Sequence, residues 1–284
     1  MKLNPFRTTK TVVRHEKLHP AGLWDLSLSR FTSRTHALVI GPNPASRAEA
    51  IASLLHRAHS RDFPAIVISP VEADTDHRFG AFTTVIDALA AAQLLRSLHS
   101  EMHARWCHLE ITRAARRDVI PALVVAVDAF DVLTRRWDEI AAEGDESAQE
   151  LLKALNPIDA CRELVMLARS SGIIVVIGAN RNEAIERSFG RPEIVNSFGT
   201  RIGLPGLSPD DAHTLMGRHI AAADKALGQA EGFVIDGSEI SQAPYIPNDP
   251  PGLAAAPTPV FTAFSDTFAR FLTDNHIPDV VDMT

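Results

Sequence analysis

Short, unbroken apolar runs alternate along this chain with longer stretches in which apolar residues recur every three or four positions. Residues 36–41, 64–69, 122–128 and 173–179 are runs of the first kind, β-branched and almost continuously apolar, as strands buried on both faces must be. Between the first two, Ala48, Ile51, Leu54, Leu55 and Ala58 fall at helical spacing, and from Thr84 to about Thr112 a long helix is expected with Ala91, Leu94, Leu98, Met102 and Leu109 on one side. A further helical region over 147–170 is interrupted at Asn156-Pro157, where proline forces a break or a new start, and Gly172 closes it. Residues 201–204 read as a short edge strand. Ser208-Pro209-Asp210-Asp211 reads as a helix start, with a capping serine and proline at the first position.

The later chain reads differently. Residues 233–238 and 243–246 form a predicted hairpin with its turn at Asp236-Gly237, and residues 247–259 hold five prolines and little apolar pattern, as a linker does. Beyond them Phe261, Phe264, Phe268, Phe271 and Leu272 make one stripe of a terminal helix, a face expected to dock on the parent core. Strands separated by helices require right-handed crossovers, so the fold class is α/β with a mostly parallel sheet, and ligands belong at the carboxyl ends of its strands. Gly41, Asp128 and Asn180 all fall at such ends.

Composition narrows the setting. With 284 residues, 45% of them hydrophobic, the chain can bury a large core. Cys107 and Cys161 stand in unlike contexts and suggest reduced thiols, not a disulfide framework, which points to a cytoplasmic setting. The longest apolar runs fall far short of the roughly 20 residues of a membrane span. The formal charge is −7, yet Lys2, Arg7, Lys10, Arg14, Lys17, Arg30 and Arg34 give the first 35 residues a basic balance. That arm is either a solvated segment or a surface for nucleic acid or an acidic partner.

The chemistry-bearing segment follows the first strand. Gly41-Pro42-Asn43-Pro44-Ala45-Ser46-Arg47-Ala48 has the spacing of the phosphate loop G-x-x-x-x-G-K-[ST], with Ser46 for the second glycine, Arg47 for the lysine and Ala48 for the magnesium-binding hydroxyl. Asp128 ends a buried strand where such enzymes place a second metal-site carboxylate, with a plain strand-end aspartate capping the next turn as the alternative, and Ala129 stands where a catalytic glutamate is usual. Pro42 and Pro44 withdraw two N–H donors from a loop whose task is to present them to phosphate. Gly41, Asn43, Ser46, Arg47 and Ala48 are therefore the candidate nucleotide-binding positions, with ATP binding expected to be weak and magnesium poorly held.

At this point the sequence resembles the FtsK/SpoIIIE family, the RecA-like P-loop motor domains that pump DNA and, in related secretion systems, move proteins. The resemblance spans roughly residues 19–246. Thr83-Thr84-Val85-Ile86-Asp87, Leu94-Leu95-Arg96 and Glu101-Met102-His103-Ala104-Arg105-Trp106 are similar to the family's "T-D … L-L-R-W … E-M-E-R-R-Y" helix. Leu167-Ala168-Arg169-Ser170-Ser171-Gly172-Ile173 resembles "R-A-A-G-I-H", Ile177-Gly178-Ala179-Asn180-Arg181 stands where the family has "L-A-T-Q-R", and Asn196–Ile202 is similar to "N-I-P-x-R-I". Gly228–Phe233 resembles the late "G-x-G-x-x-L" hairpin. By this resemblance Asn180 takes the sensor position and Arg201 the place of a finger reaching a neighbouring subunit's nucleotide. A strand-end polar residue and a structural ion-pair partner are the plain alternatives.

The domain reading that follows is a basic arm over 1–35, a RecA-like domain over 36–246, a proline-rich linker over 247–260 and a terminal helix and tail over 261–284. Arg113, Arg116 and Arg117 form a basic cluster, either a polyanion contact or a solvated helix end. His99, His103 and Cys107 share one helix face at a spacing that can bind zinc, though the sequence nominates no further ligand and a solvated histidine face has the same pattern. The resemblance with its departures implies a degenerate, non-hydrolysing domain, regulatory or structural, in a DNA- or protein-translocation assembly that forms a ring and lies peripheral to a membrane complex. A slow but active DNA-translocating ATPase using Arg47 and Asp131, and a peptide-signal receptor of a secretion system, are the other two readings.

Overall fold

The computed structural model describes residues 35–59, 63–70, 79–80, 82–112, 120, 122–216, 231–236, 239–244 and 260–277. Most of the basic arm, the Arg113/Arg116/Arg117 cluster and nearly all of the proline-rich linker lie outside them. The described strands are β1 (Ala37–Ile40), β2 (Ala65–Ile68), β3 (Thr83–Val85), β4 (Leu123–Val127), β5 (Ile173–Ala179), β6 (Thr200–Gly203), β7 (Glu231–Asp236) and β8 (Glu239–Pro244). They form one sheet in the order β3-β2-β4-β5-β1-β6-β7-β8. The first six are parallel, and β7 and β8 continue antiparallel as a hairpin.

The apolar runs become central strands because the sheet is covered on both faces. On one face Leu38, Ile66, Val125, Val175 and Ile177 pack with α2 (Ala88–Thr112), α3 (Phe130–Glu143), α5 (Pro157–Leu167) and α6 (Asn182–Phe189) in the larger core. On the other, the smaller Ala37, Val39, Ala65, Val67, Ala126 and Val176 receive α1 (Pro44–His59) through Ala48, Ile51, Leu54, Leu55 and Ala58. Each fully buried Leu or Ile contributes about 1.5–3 kcal/mol, and β1, β2, β4 and β5 are fixed by contacts on both faces.

Several expectations meet a different local structure. The helix expected from Thr84 is preceded by β3, because the β-branched Thr83-Thr84-Val85 pairs with β2, and α2 begins only after Asp87 accepts a hydrogen bond from the Ala90 N–H at 2.8 Å. β6 is no edge strand: β1 pairs on one side of it and β7 on the other. The break at Asn156-Pro157 separates α4 (Glu146–Leu155) from α5, with Asn156 at φ 43°. Gly172, at φ 80°, turns the chain from the 3-10 turn over Ala168–Ser171 into β5.

The terminal helix α8 (Asp266–Asp274), which follows α7 (Pro209–Met216) and the hairpin, docks on α2. Phe261, Phe268, Phe271 and Leu272 are buried in the larger core. A buried ion pair secures the approach to it. Arg105 donates from Nε to Glu101 Oε1 at 2.7 Å, Glu101 Oε2 accepts from the Phe264 and Ser265 N–H groups at 2.8 and 3.0 Å, and Arg105 Nη2 donates to the Thr262 carbonyl at 3.2 Å.

Candidate functional site at the strand ends

β1 ends at Ile40 and α1 begins at Pro44, so only residues 41–43 connect them. A phosphate loop wraps its anion with a longer glycine-rich connection that delivers free N–H groups at the helix start. Here those groups are engaged locally. Asn43 Oδ1 accepts from the Ala45 and Ser46 N–H groups at 2.9 and 3.2 Å, and the Asn43 carbonyl accepts from the Arg47 N–H at 3.1 Å. Pro44, at the first helical position, has no N–H to offer. The sequence thus starts its helix three residues early, with an asparagine cap and a proline.

Arg47 turns inward from the first turn of α1. Its side chain is 1% exposed. Nη1 donates to the Gly41 carbonyl at 3.0 Å and to Asn180 Oδ1 at 2.5 Å, while Nε donates to Asp128 Oδ1 at 3.2 Å. Asn180 in turn donates from Nδ2 to Asp131 Oδ2 at 2.5 Å and from its backbone to Asp131 Oδ1 at 3.3 Å. Guanidinium, amide and two carboxylates therefore bridge the ends of β1, β4 and β5. Burial pushes the Asp128 carboxyl upward, against the lowering pull of Arg47, and the nearby Asp131 adds to the rise.

Gly178 makes room for this arrangement. A Cβ there would lie 2.6 Å from Ile51 Cδ1 and 3.0 Å from Arg47 Cδ, so the arginine stem runs across bare backbone of β5. A second loop covers the first. A Cβ on Gly41 would meet Leu204 Cβ at 2.7 Å, and one on Gly206, at φ 87°, would meet Pro42 Cγ at 3.1 Å. That second loop is held where α7 begins: Asp211 Oδ1 accepts from the Asn182 N–H at 2.7 Å, and Ser208 Oγ accepts from the Asp211 N–H at 3.1 Å.

The structure thus brings Gly41, Asn43, Ser46, Arg47, Asp128 and Asn180 to one end of the sheet. Ala48 is 6% exposed, facing α1's core side, and supplies no oxygen for a metal. Ala129 is fully buried at φ 57°, so the position of the usual glutamate points into packed interior. Arg201 stands apart, in register with Leu38 and two residues short of the end of β6. Its Nε is buried without a hydrogen-bond partner among the described residues, and burial lowers its pKa. The sequence reading missed Gly178 and Leu204 as parts of this end of the sheet, since neither carries chemistry and only the third dimension shows what they touch.

No family model matches the chain, and no curated protein sequence does. Solved structures do. The pCW3 conjugation coupling protein TcpA, in monomer form with ATPγS, superimposes with a TM-score of 0.58 at 16% identity over 75% of this chain and 60% of that one. The cytoplasmic domain of the Thermomonospora curvata type VII secretion ATPase EccC gives 0.53 at 16% identity, over 84% of this chain and 28% of that one. ATPases 2 and 3 of Geobacillus thermodenitrificans EssC give 0.56 at 13%, over 87% and 45%. The chain spans less than two thirds of each, and less than half of the two secretion ATPases. It shares the fold of this conjugation coupling protein and of these secretion ATPase domains.

Proposed function

We propose that this chain is a non-hydrolysing member of the FtsK/SpoIIIE-type ATPase domains, serving as a regulatory or structural unit of a DNA- or protein-translocation assembly. The observation that carries the reading is the buried Arg47, bonded to Gly41, Asp128 and Asn180 where nucleotide phosphates and metal would otherwise lie. A triphosphate entering there meets two carboxylates, Asp128 and Asp131, and a guanidinium whose charge is already matched. The early helix start leaves it few amides, and neither Ala48 nor Ala129 can ligate magnesium or polarise water. The likeness to a conjugation coupling protein and to secretion ATPases supports the translocation setting. In the DNA-handling form of this reading, Arg113, Arg116 and Arg117 are the nucleic-acid contacts, and Arg201 faces a neighbouring copy in a ring.

Calorimetric titration of ATP and ATPγS, with and without magnesium, tests the proposal together with a turnover assay. Binding is expected to be weak and insensitive to magnesium, with turnover orders of magnitude below the ~1–1000 per second of ordinary enzymes. Micromolar, magnesium-strengthened binding with turnover near one per second, abolished by Asp128→Ala, would establish the slow motor instead.

A further inference from the structure

We infer that His99, His103 and Glu163 form a binding site for a divalent transition metal of zinc's class, clamping α2 to α5. His99 and His103 stand one turn apart on α2, and α5 runs beside it carrying Glu163. Each residue brings one ligand atom, and all three atoms lie within 4.8 Å of one another. His99 Nε2 and Glu163 Oε2 are already 2.5 Å apart. The two imidazole rings meet edge to face with centroids 4.7 Å apart. Glu163 is the ligand that spacing along α2 could not supply, and it arrives from another helix.

The geometry suits the metal. Zinc binds imidazole nitrogen at about 2.0–2.1 Å and carboxylate oxygen at about 2.0–2.2 Å, which puts tetrahedral ligand atoms about 3.3 Å from each other. Reaching that spacing takes shifts on the order of an ångström, within the torsional freedom of side chains that are not buried. Two imidazoles and a carboxylate select zinc, copper or nickel over magnesium and calcium. His103 is exposed and His99 and Glu163 partly so, which leaves a fourth position open to water or to a donor from another chain. Of the arginines on the two helices, Arg96 lies close enough to act on His103, while Arg162 is engaged with Asp159 at 2.6 Å. The edge of the site is firm: Trp106 packs on His103 at 5.2 Å and donates from Nε1 to Ser170 Oγ at 2.9 Å. Cys107, on the same helix face, is exposed and outside the group of converging ligand atoms.

The test is zinc titration of the full chain, free of any affinity tag, by calorimetry and thermal melting. The expected result is one saturable site of micromolar affinity, reversed by chelator, with a rise of several degrees in Tm. His103→Gln and Glu163→Gln each weaken binding at least tenfold, Cys107→Ser leaves it unchanged, and magnesium does not compete. Since His103 is exposed and Glu163 only partly buried, both variants are expected to fold, and their metal-free melting curves verify it. Absence of a saturable site below about 100 μM, wild-type affinity in either glutamine variant, or loss of binding in Cys107→Ser would overturn the assignment.

Discussion

At the scale of single residues, the ion pair of Arg47 and Asp128 is fully enclosed, which makes each partner depend on the other. Removing one partner of a buried pair leaves an uncompensated charge and costs about 3–5 kcal/mol, whereas replacing both with apolar groups of similar volume is often close to neutral. Arg47→Met and Asp128→Leu are each expected to destabilise by about 3 kcal/mol in urea unfolding, and the double variant by clearly less than their sum. Strict additivity would mean that the contact carries no energy. His36 offers a second residue-scale test. It is 2% exposed, its Nδ1 accepts the Val175 N–H at 3.0 Å, and burial, helped by Arg169, lowers its pKa from 6.5 to about 4. The fold therefore favours neutral imidazole. That contribution is fully present above pH 6.5 and is lost as pH falls through the window down to 4, amounting to about 3 kcal/mol at full protonation. His36→Asn keeps an acceptor without the titration, so its stability curve is expected to flatten between pH 6.5 and 4 relative to the native chain. Parallel curves for the two proteins would contradict this.

At the scale of elements, α8 is attached by apolar packing and by the clamp of Glu101 and Arg105, both almost fully buried on α2. The carboxylate of Glu101 accepts backbone N–H groups at the turn that leads into α8, so it fixes where the helix begins as well as balancing a charge. Glu101→Gln removes that charge and one of the acceptors. It is expected to cost about 3 kcal/mol and to speed hydrogen exchange across residues 260–277 before it affects β1, β4 and β5. Exchange that rises equally in the central strands would mean the clamp stabilises the whole domain and not the docking of α8.

Across the whole molecule, periodicity revealed more than chemistry did. Strands buried on both faces announce themselves as unbroken apolar runs, so the parallel sheet and its alternation with helices were legible, as were the break at Asn156-Pro157 and the cap at Ser208. Phe268, Phe271 and Leu272 of α8 were legible as a docking face, whereas Phe261 and Phe264, read as part of the same helix stripe, precede the helix, and only Phe261 joins the core. Short β3 was not, because three residues of β-branched sequence at a helix entrance carry no period. The helices α3 and α6 passed unnoticed beside the stronger strand signals. At the candidate site, the departures at Arg47, Ala48 and Ala129 could be read directly, and Asn43-Pro44 carries a helix-start signal that the phosphate-loop spacing masks. The inward turn of Arg47 could not be read, since it depends on Gly178 from β5 and Asp128 just past β4, residues 131 and 81 positions away.

The reach of Arg47 across the strand ends also bears on competition. A nucleotide in solution binds as a second molecule, but this guanidinium is tethered to α1 by its own side chain and reaches Asp128 and Asn180 as an intramolecular ligand. A short tether gives an effective concentration in the millimolar range or above, and the apparent affinity of any rival falls by the fraction of time the place stands open. A phosphate cleaved from ATP diffuses away and resets an ordinary motor; a tethered cation has nowhere to go. In the translocation setting proposed above, this tethered guanidinium would hold the ends of the three strands in one arrangement, as a stator does.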